Sequence, residues 1–244
     1  MSALLQVFGL SKRFGGFVAL DGITLEVKEG ERLGLIGPNG SGKSTLVNCI
    51  CGTLHNEIGT VEFAGETLNG LAAHERTRRG LARSFQLPRP FGSLSLLENV
   101  RIPILYTVNA RSGRHLRGAD IEGRCHEMLE QVGLAAKAEA YPRDLTQIEM
   151  RKLELARAMG AEPKLLIADE AMAGLSHAEV DEILALLIRL NGQGITVIMI
   201  EHIMRAVMEF SQRLAVLVAG KKIADGDPKE VVRHPEVVRA YLGE

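Results

Sequence analysis

The run Gly37-Pro38-Asn39-Gly40-Ser41-Gly42-Lys43-Ser44-Thr45 meets every fixed position of the phosphate-binding pattern G-x-x-x-x-G-K-[ST]. Such a pattern confines its surroundings to a strand, a tight glycine loop and a helix. The flanks agree: Arg32-Leu33-Gly34-Leu35-Ile36 reads as a short buried strand, and Leu46-Val47-Asn48-Cys49-Ile50 as the helix that follows. Glycines let successive backbone N–H groups close around phosphate oxygens, and the helix aims its positive end at the same point. Lys43 is then placed to reach the β and γ phosphates, and the Ser44 hydroxyl to ligate Mg²⁺. The competing reading is a chance glycine-rich turn.

Bulk properties narrow the class. A chain of 244 residues, 46% hydrophobic and 24% charged, has the make-up of a globular domain able to bury a sizeable core. The formal net charge of -1 offers no basic field for nucleic acid. The first residues lack the basic and long apolar regions of a secretion signal, and no apolar run is long enough to span a bilayer. Cys49, Cys51 and Cys125 lack metal-site spacing and read as small core thiols; a redox-sensitive pair at Cys49 and Cys51 is the alternative.

Short apolar segments at 4–8, 23–27, 33–36, 60–63, 165–168, 196–200 and 214–218 are strand candidates. Those up to residue 63 resemble antiparallel strands, whereas the three later ones follow helical stretches as parallel strands do, so a mixed sheet is expected. Between about residues 87 and 162 helical patterns take over, at 121–132 and 149–159, which reads as a helical subdomain inserted in one α/β domain spanning 1–244. Within it Arg111, Arg114, His115 and Arg117 make 107–123 locally basic, either a solvated loop or a phospholipid or nucleic-acid contact.

The second chemical signal is Leu165-Leu166-Ile167-Ala168-Asp169-Glu170, an apolar strand ending in two acids. In phosphate-loop enzymes an acid at such a strand end sits beside the loop and holds Mg²⁺, the role expected of Asp169. Glu170 lies where a general base would polarise a water aimed at the γ-phosphate.

Together these parts resemble the nucleotide-binding subunit of ATP-binding cassette (ABC) transporters, over nearly the whole chain. The resemblance implies a P-loop NTPase fold, with an N-terminal antiparallel subdomain and a mixed-sheet core, binding ATP and Mg²⁺. It also implies roles for three residues: Phe14 stacking on adenine, Gln86 touching Mg²⁺ and the attacking water, and His202 contacting the γ-phosphate. In this family two subunits pair head to tail, and a signature segment of one closes on the ATP held by the other.

That segment departs from the family pattern. Leu145-Thr146-Gln147-Ile148-Glu149 stands where L-S-G-G-Q is usual. Gln147 and Ile148 put side chains where a close backbone approach is expected, and Glu149 adds a carboxylate. Thr146 and Glu149 still form a capping box that starts a helix. Ser176, where the family often has Asp, forms another with Glu179, ahead of a helix whose apolar face holds Ile183, Leu186, Leu187 and Leu190.

The ending Gly220-Lys221-Lys222-Ile223-Ala224-Asp225-Gly226-Asp227-Pro228, with Tyr241-Leu242-Gly243-Glu244, is similar to that of branched-chain amino acid importer ATPases. So are Lys12-Arg13-Phe14-Gly15-Gly16 and Glu201-His202-Ile203-Met204. The resemblance then implies a cytoplasmic ATPase at the inner membrane face, with transmembrane permease subunits, a second ATPase subunit and a solute-binding protein as partners. A groove beside Gln86, including Phe91, Leu94, Leu96 and Leu97, would receive a permease helix unless those residues are core. Urea or amide importers, a lipopolysaccharide exporter ATPase, and weakly hydrolysing or non-transport members of the superfamily are the alternatives.

Overall fold

The computed structural model describes residues 3–85, 87–111, 113 and 115–242. The strands are β1 Ala3–Phe14, β2 Phe17–Lys28, β3 Arg32–Ile36, β4 Ile58–Phe63, β5 Glu66–Thr67, β6 Leu81–Ser84, β7 Leu165–Asp169, β8 Thr196–Ile200, β9 Arg213–Val218 and β10 Lys221–Gly226. The helices are α1 Lys43–Cys51, α2 Ala73–Arg78, α3 Leu96–Pro103, α4 Gly118–Gln131, α5 Gln147–Met159, α6 His177–Gly192, α7 Met204–Phe210, α8 Pro228–Val231 and α9 Pro235–Leu242.

Two sheets organise the chain. One is antiparallel, in the order β2-β1-β4-β5; the other runs β10-β9-β3-β8-β7-β6, parallel except for β10 against β9. The expected mixed architecture is therefore present, with one correction. The strand at 33–36 is parallel, paired between β8 and β9, and not a member of the antiparallel group. Its Leu-Gly-Leu-Ile run is buried on both faces, as in a parallel sheet covered above and below. The strand β6 had no sequence expectation, because Leu-Ala-Arg-Ser lacks both alternation and an apolar run.

Period-two geometry divides the core. In β7, Leu165 and Ile167 face a layer shared with β1, β2 and α1, while Leu166 and Ala168 face α5 and α6. In β8, Ile198 and Ile200 join the first layer, Val197 and Met199 the second. Each central strand thus needs an unbroken apolar sequence, and each has one.

Between β6 and β7 the described chain is helical. Ile121, Cys125 and Leu129 recur every fourth residue and bury one stripe of α4 against Val100 and Leu153. Of the four residues expected at a groove wall, Leu96 is fully buried and Leu97 packs on the same core, so these two belong to the interior. Leu94 is half-buried and Phe91 is exposed. Helix α3 ends at Pro103 and widens into a single π turn, Ile104–Val108, which leaves Tyr106 exposed. The basic segment is partly tied down: Arg111 donates to the Arg78 and Ala161 carbonyls and pairs with Glu162. Arg114, placed in that segment from sequence, lies outside the described residues, as do Gly243 and Glu244.

All three cysteines are buried thiols, and burial pushes Cys51 up to about 12 and Cys125 up to about 11. Thiols held so far from thiolate are poor redox groups, which favours the core reading. Beneath α1, the buried Arg76 of α2 donates to the Cys49 and Ile50 carbonyls and so caps that helix from another element.

Candidate nucleotide site

The site assembles at one edge of the parallel sheet. Adjacent strands β3, β8 and β7 end there in register, with Leu35 opposite Ile200 and Ile200 opposite Asp169. The phosphate loop leaves β3, His202 follows β8, Asp169 ends β7 and Glu170 follows it. In open α/β sheets the crevice beyond the carboxyl ends of the strands is where ligands bind.

The loop itself is backbone-built. A Cβ at Gly42, whose φ is +104°, would stand 2.7 Å from the Ala19 carbonyl, and one at Gly37 would collide with the Leu217 carbonyl. Gly42 is the N-cap of α1, which has neither a side-chain cap nor an acid in its first turn. That positive helix end is left for an external anion. Lys43 folds back over the loop, donating to the Gly37 carbonyl at 2.7 Å, the Pro38 carbonyl at 3.1 Å and Ser41 Oγ at 3.4 Å. Burial lowers its pKa, opposed by the nearby Glu170 and Asp169 carboxylates.

A cleft of about 250 Å³ gathers Asn39, Gly40, Ser41, Gly42, Lys43, Ser44 and Thr45 with Phe14 and Glu170. Phe14 is half exposed at the end of β1, and Phe17 is its register partner across the Gly15-Gly16 turn. Phe17 lines the same cleft, so the aromatic edge has two rings where sequence reasoning named one. The Phe-Gly-Gly-Phe spacing was the available signal.

A second cleft brings Ser44 and Asp169 together. A hydroxyl and one carboxylate, with room for phosphate and water oxygens, is the donor set that suits Mg²⁺, which keeps most of its ligands from substrate and solvent. The Asp169 carboxylate accepts from Arg83 Nη2 at 2.5 Å, and Arg83 Nη1 donates to Asn48 of α1 at 2.6 Å. Sequence reasoning missed Arg83, because nothing local to β6 marks it; only the pairing of β6 with β7 brings it to Asp169.

Glu170 has φ +48°, a left-handed conformation that a non-glycine residue adopts at a cost of about 1–3 kcal/mol. Its N–H donates to the Ile200 carbonyl at 2.9 Å, which helps hold the turn. His202 is largely exposed, with Nδ1 4.0 Å from the buried Glu201 carboxylate. Glu201 Oε1 accepts from the Met172 N–H at 2.8 Å, and Oε2 has no hydrogen-bond partner. Burial raises the Glu201 pKa, against the opposing Met172 N–H and His202. Glu201 is thus a buried carboxyl next to His202 and tied to the Met172 backbone, a contact no motif announced. Gln86, expected beside Mg²⁺, lies outside the described residues.

The segment expected to serve a partner stands apart from these clefts. Thr146 caps α5 and Glu149 answers it, as the sequence implies. Ser176 and Glu179 likewise cap α6, whose Ile183, Leu186, Leu187 and Leu190 are buried. The side chains of the altered signature turn onto their own subunit. Gln147 Nε2 donates to the Ala173 carbonyl at 3.4 Å, and Ile148 packs against the helical core. Glu149 also pairs with Lys137 at 2.7 Å, and that lysine with the Thr146 N–H holds its pKa below the ordinary value.

Comparison with known proteins agrees with this geometry. The pattern of the family described as "ABC transporter" matches residues 20–173, and that of "Branched-chain amino acid ATP-binding cassette transporter" matches 221–244. BraF of Pseudomonas aeruginosa, a high-affinity branched-chain amino acid transport ATP-binding protein, is 36% identical, with 99% of this chain and 98% of BraF covered. LivG of Escherichia coli (strain K12), described in the same words, is 35% identical over the same shares. Among solved structures, a nucleotide-free ATP-binding cassette from an ABC transporter superposes with TM-score 0.88 at 31% identity, covering both chains fully. The dimeric, ADP- and Pi-bound cassette MJ0796 superposes with TM-score 0.81 at 26% identity, covering 92% of this chain and 99% of that one. The phosphate loop, the strand-end acids and the end-to-end similarity lead to one conclusion: the chain belongs to the ABC transporter family, as an ATP-binding subunit of that family's P-loop ATPase fold.

Proposed function

We propose that the protein is the ATP-hydrolysing subunit of an importer for branched-chain or other amino acids, acting on the cytoplasmic face of the membrane through separate permease subunits. The observation that carries this reading is the 36% identity to BraF over nearly the full length of both chains. Among the described residues no helix is long and apolar enough to cross a membrane, and in this reading separate permease subunits carry the solute.

In this reading Lys43 exchanges the carbonyls of its own loop for the β and γ phosphates of ATP, and Phe14 stacks on adenine. Ser44, Asp169 and Gln86 would hold Mg²⁺, which would neutralise charge on the transferring phosphoryl group. Glu170 polarises the attacking water, and His202 reaches the γ-phosphate. Two ATPase subunits close head to tail over the nucleotide, each lending residues 145–149 to its neighbour. The side chains at Gln147 and Ile148 favour a pair with a different ATPase subunit whose signature keeps its glycines. A solute-binding protein would deliver the cargo.

An apolar groove of about 330 Å³ between the parallel sheet and the helical region supports the permease contact. Phe85, Phe91 and Tyr106 stand exposed along it. We take residues 87–162 as the unit that carries this surface. Purification of the protein from membranes with its bound partners, identified by mass spectrometry, is the direct test. Recovery of an amino-acid permease, with ATP-dependent uptake in reconstituted vesicles, is the expected result. Recovery of a urea permease would overturn the amino-acid assignment, and recovery of a lipopolysaccharide permease, or of none, the importer assignment.

A further inference from the structure

A guanidinium already holds the carboxylate assigned to the metal. Arg83 Nη2 is 2.5 Å from Asp169 Oδ2, and both side chains are largely buried. The same Arg83 bridges three elements: it lies on β6, bonds Asp169 at the end of β7, and bonds Asn48 on the phosphate-loop helix. Its Nε is buried without a partner. The guanidinium also stacks on the Phe85 ring, 5.1 Å from its centre. Arg83, Phe85, Ser44 and Asp169 line one cleft, and Arg83 and Phe85 also line the apolar groove on the helical side.

Two cations cannot share one carboxylate closely without repulsion, and a divalent ion carries the larger charge. We propose that Arg83 is a stand-in counter-ion and a positioning residue: it neutralises Asp169 while nucleotide is absent and yields the carboxylate when Mg²⁺ arrives with ATP. Its departure carries Phe85 and so reshapes the groove wall. The inference rests on the reading of Asp169 as a metal ligand.

The chain has no tryptophan, so Phe85→Trp places a single fluorophore on the groove. Its emission is expected to shift with ATP plus Mg²⁺ and to stay unchanged with ATP plus EDTA. The shift should vanish when Arg83→Met is added. In Mg²⁺ titrations of fluorescent ATP-analogue binding, removal of the competing charge by Arg83→Met should lower the Mg²⁺ midpoint by about tenfold. Arg83→Lys keeps the charge and should keep the midpoint; it serves if the methionine variant does not fold. An unchanged or raised midpoint in Arg83→Met, an emission shift that persists without Mg²⁺, or a lowered midpoint in Arg83→Lys would overturn the exchange. Asp169→Asn separates the two levels. If it leaves the Mg²⁺ dependence of binding unaltered, the metal assignment itself fails; if it alters that dependence while Arg83→Met does not, only the exchange fails.

Discussion

The phosphate loop and the 145–149 segment are both helix starts, and they use their first turns in opposite ways. At α1 the N-cap is Gly42, no side chain accepts from the helix, and the first-turn amides face a cleft. At α5 the first turn is satisfied from within: Thr146 Oγ1 accepts from Glu149, Glu149 accepts from Thr146 and pairs with Lys137, and Gln147 leans on Ala173. An open N-terminus is a ready anion site, and a capped one is a stable helix. The capping box expected at Thr146 and Glu149 is present, and a lysine of the same chain pairs with the added carboxylate. Glu149 pairs with Lys137 of its own chain, so the side chains of Gln147 and Ile148 are the difference from a glycine signature that is left to test.

The largest expected effect tests the open half. Glu170→Gln should slow hydrolysis by about 10²–10⁴-fold, the usual worth of a general base, while ATP binding persists. Steady-state phosphate release with parallel nucleotide-binding assays reads both, and hydrolysis at the parental rate would remove Glu170 from the base role. The closed half is probed by Gln147→Gly with Ile148→Gly. Restoring a phosphate-facing turn should raise homodimer hydrolysis by up to about 10²-fold, the scale of one preorganised donor. The same change should lower stability by about 1 kcal/mol for each glycine in the helix. Opposite signs in activity and melting temperature distinguish it from a general loss of structure. Unchanged hydrolysis in a confirmed dimer would show the segment to be tolerated as it stands.

A smaller effect concerns the buried Glu201 carboxyl beside His202. Burial raises the Glu201 pKa, so its cost to the fold is absent below the ordinary carboxylate value, grows as pH rises from there, and is complete above the raised value. Glu201→Gln should stabilise the protein near neutral pH by about 1–2 kcal/mol, and the gain should close as pH falls into the ordinary carboxylate range. Melting curves across pH check this; a gain that grows on acidification would reverse the sign. The smallest change is Thr146→Ala, which should cost about 1 kcal/mol by removing the α5 cap, without touching Mg²⁺-free ATP binding.

Much of the site was legible because its parts are local. The loop, the strand-end acids and both capping boxes depend on residues within a few positions of each other. The strands at 165–168 and 196–200 were legible because both faces are buried, which demands an unbroken apolar run. The strand at 33–36 was placed with antiparallel neighbours because composition does not state which strand pairs with which. Arg83 and Glu201 escaped notice for a related reason, since each acts on residues far away in sequence. Leu96 and Leu97 read equally as groove or core until the helices were packed, and packing put both inside.

By itself the sequence determined that this chain builds a phosphate loop and an apolar strand ending in two acids, since backbone geometry and side-chain chemistry at short range need no tertiary contact. Only the tertiary structure decided that β3, β8 and β7 bring the loop and the acids together, that Arg83 bonds Asp169, that Glu201 accepts from the Met172 N–H, and that Gln147 bonds the Ala173 carbonyl. Those are long-range pairings set by sheet register and helix packing, and no short-range pattern encodes them.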